Sequence, residues 1–230
     1  MRGAYPYRDT MGAIALARRP PPVAWCRDME SLQMPTLRER NVHLHDGPLH
    51  LRPMAESDWD ILLRWNHDPE VLYYVEDDPI TSWPLADMQA MYRGVSQNAH
   101  VFMVELGGQP IGECWLQQMN LESVLRRYPG LDTRRIDLMI GEKALWGRGW
   151  GTRIIGLLTR FAFQECGADA VFGMSIGDYN PRSRRAFEKN GYRVEEIIPE
   201  PEGHKARVHY RMILTRAEYE QRAQARCSPG

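Results

Sequence analysis

The chain has 230 residues, 43% hydrophobic and 26% charged, with a formal net charge of −1. This balance excludes a wholly disordered chain, a collagen and a disulfide-dense mini-scaffold. No apolar run approaches the roughly 20 residues that span a bilayer. A near-neutral charge argues against nucleic-acid wrapping and membrane adhesion.

Residues 1–46 stand apart. They carry Pro6, Pro20, Pro21, Pro22 and Pro35, many arginines and no sustained periodicity. We expect a flexible extension, or a start placed too far upstream, with Met29 or Met34 as later starts. Residues 11–17 resemble a signal core only faintly and run into Arg18-Arg19 and three prolines rather than a cleavage site. The expected location is therefore the cytoplasm. Cys26, Cys114, Cys166 and Cys227 form no C-x-x-C pair, so zinc-ribbon and redox readings fail. His43 and His45 have a metal-compatible spacing, but in a linker they read more simply as solvated, and no metal is expected.

A main domain is expected over residues 47–217, with 218–230 as a tail. Leu49 to Met54 alternates like a strand. Ser57 opens a helix, with Asp60 as its capping-box partner. A second helix covers Pro84 to Gln97. His100 to Leu106 and Pro110 to Gln117 are strands joined through Gly107-Gly108, a two-residue hairpin signal. A loop with Tyr128-Pro129-Gly130 leads to a strand from Arg134 to Ile140. Gly149 to Cys166 has a wide helical apolar face and stops at Gly167. Ala170 to Ile176 is a strand. Asn180 caps a helix whose first residue is Pro181 and which stops at Asn190-Gly191. Strands from Tyr192 to Ile198 and Arg207 to Leu214 complete the domain.

The strongest chemical signal is a strand that feeds a glycine-rich turn and then a long helix. It runs Trp146-Gly147-Arg148-Gly149-Trp150-Gly151-Thr152. A helix N-terminus offers unpaired N–H groups and partial positive charge. Glycines let that backbone approach a phosphate without side-chain interference. Arg148 and Arg153 add charge. The spacing is neither that of a P-loop nor G-x-G-x-x-G.

This turn resembles the acyl-CoA pyrophosphate loop of the GNAT acetyltransferases, R/Q-x-x-G-x-G/A, on Trp146, Gly149 and Gly151. Trp146 stands where Arg or Gln is usual. A second block, Asn180 to Tyr192, resembles the family's N-x-x-A-x-x-x-Y-x-x-x-G-F. The resemblance covers roughly residues 49–215. It implies an α/β (α+β) GNAT fold: a mixed, mostly antiparallel sheet splayed in the middle, with flanking helices. It also implies acetyl-CoA in the splay. Its pyrophosphate would lie on residues 147–152, and its pantetheine on the backbone of Leu138, Met139 and Ile140. Asn180 and Arg185 join the coenzyme side. Arg182, Arg184 and Lys189 offer further charge to the phosphates.

Attack on a thioester requires an amine that has lost its proton, and so a general base. Asp137, mid-strand between apolar residues, is the candidate. The alternative is a structural carboxylate paired with Arg134 or Arg135. From Trp65 to Tyr92 there is no Lys or Arg, but there are six acids: Asp68, Glu70, Glu76, Asp77, Asp78 and Asp87. Tyr73, Tyr74 and Trp83 are interleaved. Such a wall suits a small cationic acceptor.

Val71 to Asp78, Leu85 to Gln89, Pro110 to Gly112 and Pro129-Gly130 ahead of Asp137 resemble the aminoglycoside 6′-N-acetyltransferases. That resemblance implies an aminoglycoside acceptor and resistance. It assigns Asp137 to catalysis, and Tyr73, Tyr74, Glu76, Asp77, Asp78, Trp115, Gln117 and Asp178 to the acceptor site. Phe187 replaces the tyrosine that many relatives use to protonate the leaving thiolate; phenylalanine has no proton to give, and Tyr179 is the neighbouring candidate. Competing readings are a siderophore hydroxylamine acceptor, a protein or peptide amine, and an acyl-CoA-binding regulatory module. A monomer or a homodimer is expected.

Overall fold

The computed structural model describes residues 35–77, 80 and 82–227. Its centre is an eight-stranded sheet in the order β1-β2-β3-β4-β5-β6-β8-β7. The strands are β1 (Leu44–Asp46), β2 (Leu49–Pro53), β3 (Ala99–Leu106), β4 (Gln109–Gln118), β5 (Thr133–Ile140), β6 (Ala170–Gly177), β7 (Arg193–Pro199) and β8 (Val208–Thr215). Every pairing is antiparallel except β5 with β6. That parallel pair needs a crossover, and α5 (Trp150–Gln164) supplies it.

Period-two alternation splits the middle strands between two cores. Cys114, Leu116 and Ile136 face α5 with Ile154, Leu158 and Phe161. Trp115 and Met139 face the opposite way, with Trp65 of α1 (Trp59–Trp65) and Met88 and Tyr92 of α3 (Leu85–Ser96). α1 and α3 thus cover one face of the sheet, and the crossover helix α5 covers the other.

The β5–β6 ladder runs only from Thr133↔Ala170 to Ile136↔Gly173. Beyond it the strands part. β6 shifts register against β8 between Gly173 and Ile176, and Ser175 takes a positive φ of 49°. The expected splay is present.

Five elements differ from the expectation. Residues 44–46, assigned to the extension, form β1, because Gly47-Pro48 is itself a two-residue hairpin turn between the paired Asp46 and Leu49, with Gly47 at φ 57°. Leu37, also in that segment, is buried. The expected tail contains α7 (Arg216–Cys227). Glu218 accepts from Thr215 N and Oγ1 at 2.8 and 2.7 Å, and Tyr219 stacks on Phe163 at 4.7 Å. Two short helices, α2 (Pro69–Val75) and α4 (Glu122–Arg127), were also absent from the expected order. At α1 the cap lies earlier than expected: a 3-10 turn at Glu56–Asp58 precedes it, and Asp58 accepts the Ala55 N–H at 2.8 Å. The final helix of the main domain is α6 (Pro181–Lys189), capped by Asn180 Oδ1 on Ser183 N at 3.2 Å. Cys26, Met29, Met34 and Asp78 lie outside the described residues.

Candidate active site

A cleft of about 460 Å³ opens where β5 and β6 diverge. The glycine turn forms one wall. Gly147 and Gly149 have φ of 73° and 86°, and a Cβ at either would meet nothing within 4 Å. The left-handed backbone therefore serves conformation, and the space above it is an open cradle. Gly149 is the N-cap of the 15-residue α5, so the helix's unpaired N–H groups face that cradle.

Strand β5 forms the floor. The Asp132 carbonyl accepts from Asp169 N on the β6 side, and the Ile140 carbonyl accepts from the Trp146 indole at 2.7 Å. Alternation turns Leu138 to the same edge. The N–H groups of Leu138 and Ile140 thus border the gap beyond the last β6 pairing.

Asp137 projects from the other face into the cleft. Trp115 lies directly opposite it on β4, and its Nε1 donates to Asp137 Oδ2 at 2.8 Å. Arg135, two residues upstream on the same face, donates Nε to Oδ2 at 2.8 Å and Nη2 to Oδ1 at 2.5 Å. The carboxylate is therefore an ion pair and a cleft-lining group at once. Its side chain is 22% exposed against 4% for Arg135, so the carboxylate keeps one face open to the cleft.

Of the residues expected at the coenzyme, Leu138, Ile140, Trp146, Gly147, Gly149, Gly151, Thr152, Asn180 and Arg185 line the cleft, as do Arg182 and Lys189. Met139 does not: it is buried on the acceptor face. Arg148 is exposed outside the lining, and Trp150 stacks under Arg153 at 4.9 Å. Arg153 is turned away to Asp46 at 2.6 Å, and Arg184 pairs with Glu188 at 2.8 Å. Arg182 lies over the rings of Tyr74 and Trp146 at 4.5 and 4.9 Å. A guanidinium thus stands beside the turn position where relatives carry their own Arg or Gln.

On the acceptor side, Tyr74 and Trp115 line the cleft. Tyr73, Glu76, Asp77, Gln117 and Asp178 do not, and the acidic wall is largely met by cations from elsewhere. Glu76 is buried and accepts the Trp83 indole N–H at 3.0 Å. Asp77 accepts from His209 Nε2 at 2.9 Å, while His209 Nδ1 meets Glu200 at 2.8 Å. Burial pulls the His209 pKa down, but these two carboxylates outweigh it and hold it above the ordinary imidazole value. Lys205 donates to the Tyr73 and Glu76 carbonyls and lies over Tyr73 and Tyr179. Lys143 bridges Asp68 and Glu70 at 2.8 and 3.0 Å. Asp178 accepts the Arg207 N–H at 3.2 Å.

The missing tyrosine is not supplied by Tyr179. Its hydroxyl turns to Asp77 at 3.4 Å, and burial followed by that carboxylate pushes its pKa up. Phe187 is buried against Gly173, where any Cβ would sit 2.8 Å from its ring. Among the cleft residues that sequence reasoning missed, Ser183 and Glu113 carry chemistry. Glu113 shares the strand face of Trp115 at a spacing of two, the one signal that could have drawn attention to it. His43, His45 and His50 stack on one another, but no metal-holding cluster occurs among the described residues.

A helix N-terminus with open backbone N–H groups beside a free strand edge suits a phosphate-bearing co-substrate. Residues 49–193 match the acetyltransferase (GNAT) domain family. The chain belongs to that family, and acetyl-CoA is its co-substrate. Its fold is similar to that of aminoglycoside acetyltransferase AAC(6′)-Ib, solved with coenzyme A and kanamycin. The TM-score is 0.62 at 21% identity, over 75% of this chain and 98% of that one. It is similar to spermidine N-acetyltransferase from Vibrio cholerae, solved with CoA and spermine, at TM-score 0.61 and 17% identity over 76% and 99%. A GNAT-family acetyltransferase from Bacillus anthracis gives 0.62 and 17% over 76% and 99%.

Proposed function

We propose that the protein acetylates an amine of a small cationic acceptor, and that the acceptor is an aminoglycoside bearing a 6′-amino group. Resistance to that antibiotic is the expected consequence. The observation that carries this reading is Asp137, a cleft carboxylate on the strand whose Leu138 and Ile140 N–H groups border the gap. When bound, acetyl-CoA supplies an acyl carbon open to a nitrogen lone pair. The chain's part is to orient and deprotonate. Asp137 attracts the ammonium and takes its proton, while Arg135 and Trp115 fix where the carboxylate points. The Leu138 and Ile140 amides serve as donors toward the acyl oxygen.

The aminoglycoside assignment is supported by the motif resemblance over Val71 to Asp78, Leu85 to Gln89 and Pro129 to Asp137, and by the aromatic lining from Tyr74 and Trp115. We place the reaction in the cytoplasm, where acetyl-CoA is made. No helix among the described residues is long and apolar enough to cross a membrane.

A thiol-release assay with acetyl-CoA against kanamycin, spermine and a basic peptide tests this. Turnover of kanamycin with acetylation mapped to the 6′ nitrogen is the expected result. Turnover only on spermine or the peptide would retire the aminoglycoside and keep the transferase. Coenzyme binding without turnover on any acceptor would favour an acyl-CoA-binding module.

A further inference from the structure

Glu113 is a buried carboxyl in an apolar layer. It lies mid-strand on β4, between Met103 on β3 and Met139 on β5 in the sheet register. It is only 3% exposed, within the layer that holds Met88, Tyr92 and Trp115. Yet it lines the cleft, and its Oε2 has no hydrogen-bond partner in the protein. A glutamine would fill the same space with no charge to desolvate, so a carboxyl kept here asks for a use.

Its surroundings define that use. Asp137 stands opposite Trp115, the neighbour of Glu113 on the same face, so the two acids are diagonal across an antiparallel pair. Diagonal positions are about 7–8 Å apart in backbone, a span that two inward-turned side chains close around one ammonium. We propose that Glu113 is a second acceptor-binding carboxyl that holds the incoming ammonium together with Asp137, and that it gives up a proton when that cation arrives. This rests on the cationic-amine reading above and adds a residue and a proton to it.

The groups facing Glu113 are few. From α3 the Tyr92 hydroxyl donates to it, itself accepting from Asn66 of the turn after α1. From β5 comes the Asp137 charge, with Arg135 directing Nε and Nη2 at Asp137. β3 contributes only Met103 in register. Burial, then Asp137, push the carboxyl well above the usual range, against the single Tyr92 bond. Burial and the Asp137 charge thus favour the neutral form of Glu113 beside an ion-paired Asp137. A bound ammonium reverses the balance. Glu113–COOH becomes Glu113–COO⁻ facing the cation, and the released proton goes to solvent.

Difference infrared spectroscopy on the full chain loaded with coenzyme A tests this without turnover. Near neutral pH a neutral-carboxyl band should be present, be absent in Glu113→Gln, and vanish when kanamycin or spermine is added. Calorimetry in two buffers of different ionisation heat should count a proton released on amine binding, and not in Glu113→Gln. The acceptor KM of that variant should rise about tenfold or more, the size of a lost charge-assisted hydrogen bond, with kcat changed far less. Tyr92→Phe keeps the carboxyl and removes its donor, so the band should shift while proton release persists. A band that ignores both amines, or one unmoved by Tyr92→Phe, overturns the proposal. So does a Glu113→Gln protein with unchanged proton count and KM. Turnover in the acetylation assay together with an unresponsive band would defeat Glu113 alone. A silent acceptor panel together with an amine-responsive band would defeat the acetyl-transfer reading and leave Glu113 as a cation site.

Discussion

The two halves of the cleft are built on different principles. The proposed coenzyme half is built from contiguous stretches: a glycine turn, the first residues of α5 and the open edge of β5. The acid-rich region beside the proposed acceptor half is tied down by side chains from distant segments. Lys143, Lys205 and His209 reach across to this region, which has no cation of its own between Trp65 and Tyr92. Backbone N–H groups are present whatever the residue, so the first half should depend little on which side chain stands at Trp146. The second half depends on each partner.

Asp137→Asn should produce the largest effect. Loss of the base should lower kcat by about a hundredfold or more, with coenzyme affinity unchanged. The same change weakens the partner of the buried Arg135, so the melting temperature should also fall. Measuring kcat well below that melting point, with folding checked by near-ultraviolet dichroism, separates the two. A normal kcat in a destabilised protein would make Asp137 structural only.

Gly149→Val should act on the other half alone. A β-branched residue at φ 86° is strained whatever the space around it. At about 1–3 kcal/mol for such a conformation, coenzyme affinity should drop roughly tenfold in equilibrium binding, with the Asp137-dependent chemistry intact at saturation. Unaltered affinity would remove the turn from the coenzyme site.

Two histidines outside the cleft lining should answer pH with opposite sign. His209 ties Asp77 to Glu200, and its folded pKa is raised. Its contribution is complete below the unfolded imidazole value near 6.5 and fades as pH rises through the higher folded value. His100, against Phe161 of α5, has its pKa lowered to about 4 by burial and then by Arg40, Arg134 and Arg38. There the unfolded chain binds a proton the folded one refuses, so stability falls as pH drops from about 6.5 towards 4. Thermal melts of His209→Gln should lose the alkaline slope, and those of His100→Phe the acid slope.

Arg182→Ala should give the smallest change. It removes the guanidinium over Tyr74 and Trp146, where a cation on an aromatic face is worth about 0.5–2 kcal/mol. A severalfold loss of coenzyme affinity would mark Arg182 as the stand-in for the missing turn residue. Affinity that stays level while the acceptor KM moves would assign it to the other half.

Local signals carried much of the fold. Periodicity and punctuation marked β2 to β8, α3, α5 and α6, because a helix or strand that buries one face must write that face into its sequence. The same signals went unread where elements are short. Asp68-Pro69 opens α2 as Asn180-Pro181 opens α6, and Gly47-Pro48 turns β1 into β2. Seven residues carry too few turns to show a period.

What the sequence by itself determined was the run of β5, the glycine turn and α5 that carries Asp137, since all of it lies in one contiguous stretch. Only the tertiary structure decided the rest. It turned Glu76 and Asp77 into satisfied partners rather than an open acidic wall, sent Tyr179 away from the cleft, and brought Glu113 to its floor. The physical reason is range. A helix N-terminus and a glycine turn form from neighbours in the chain, whereas the environment of a charge depends on whatever packing brings near it, from residues 100 or more positions away.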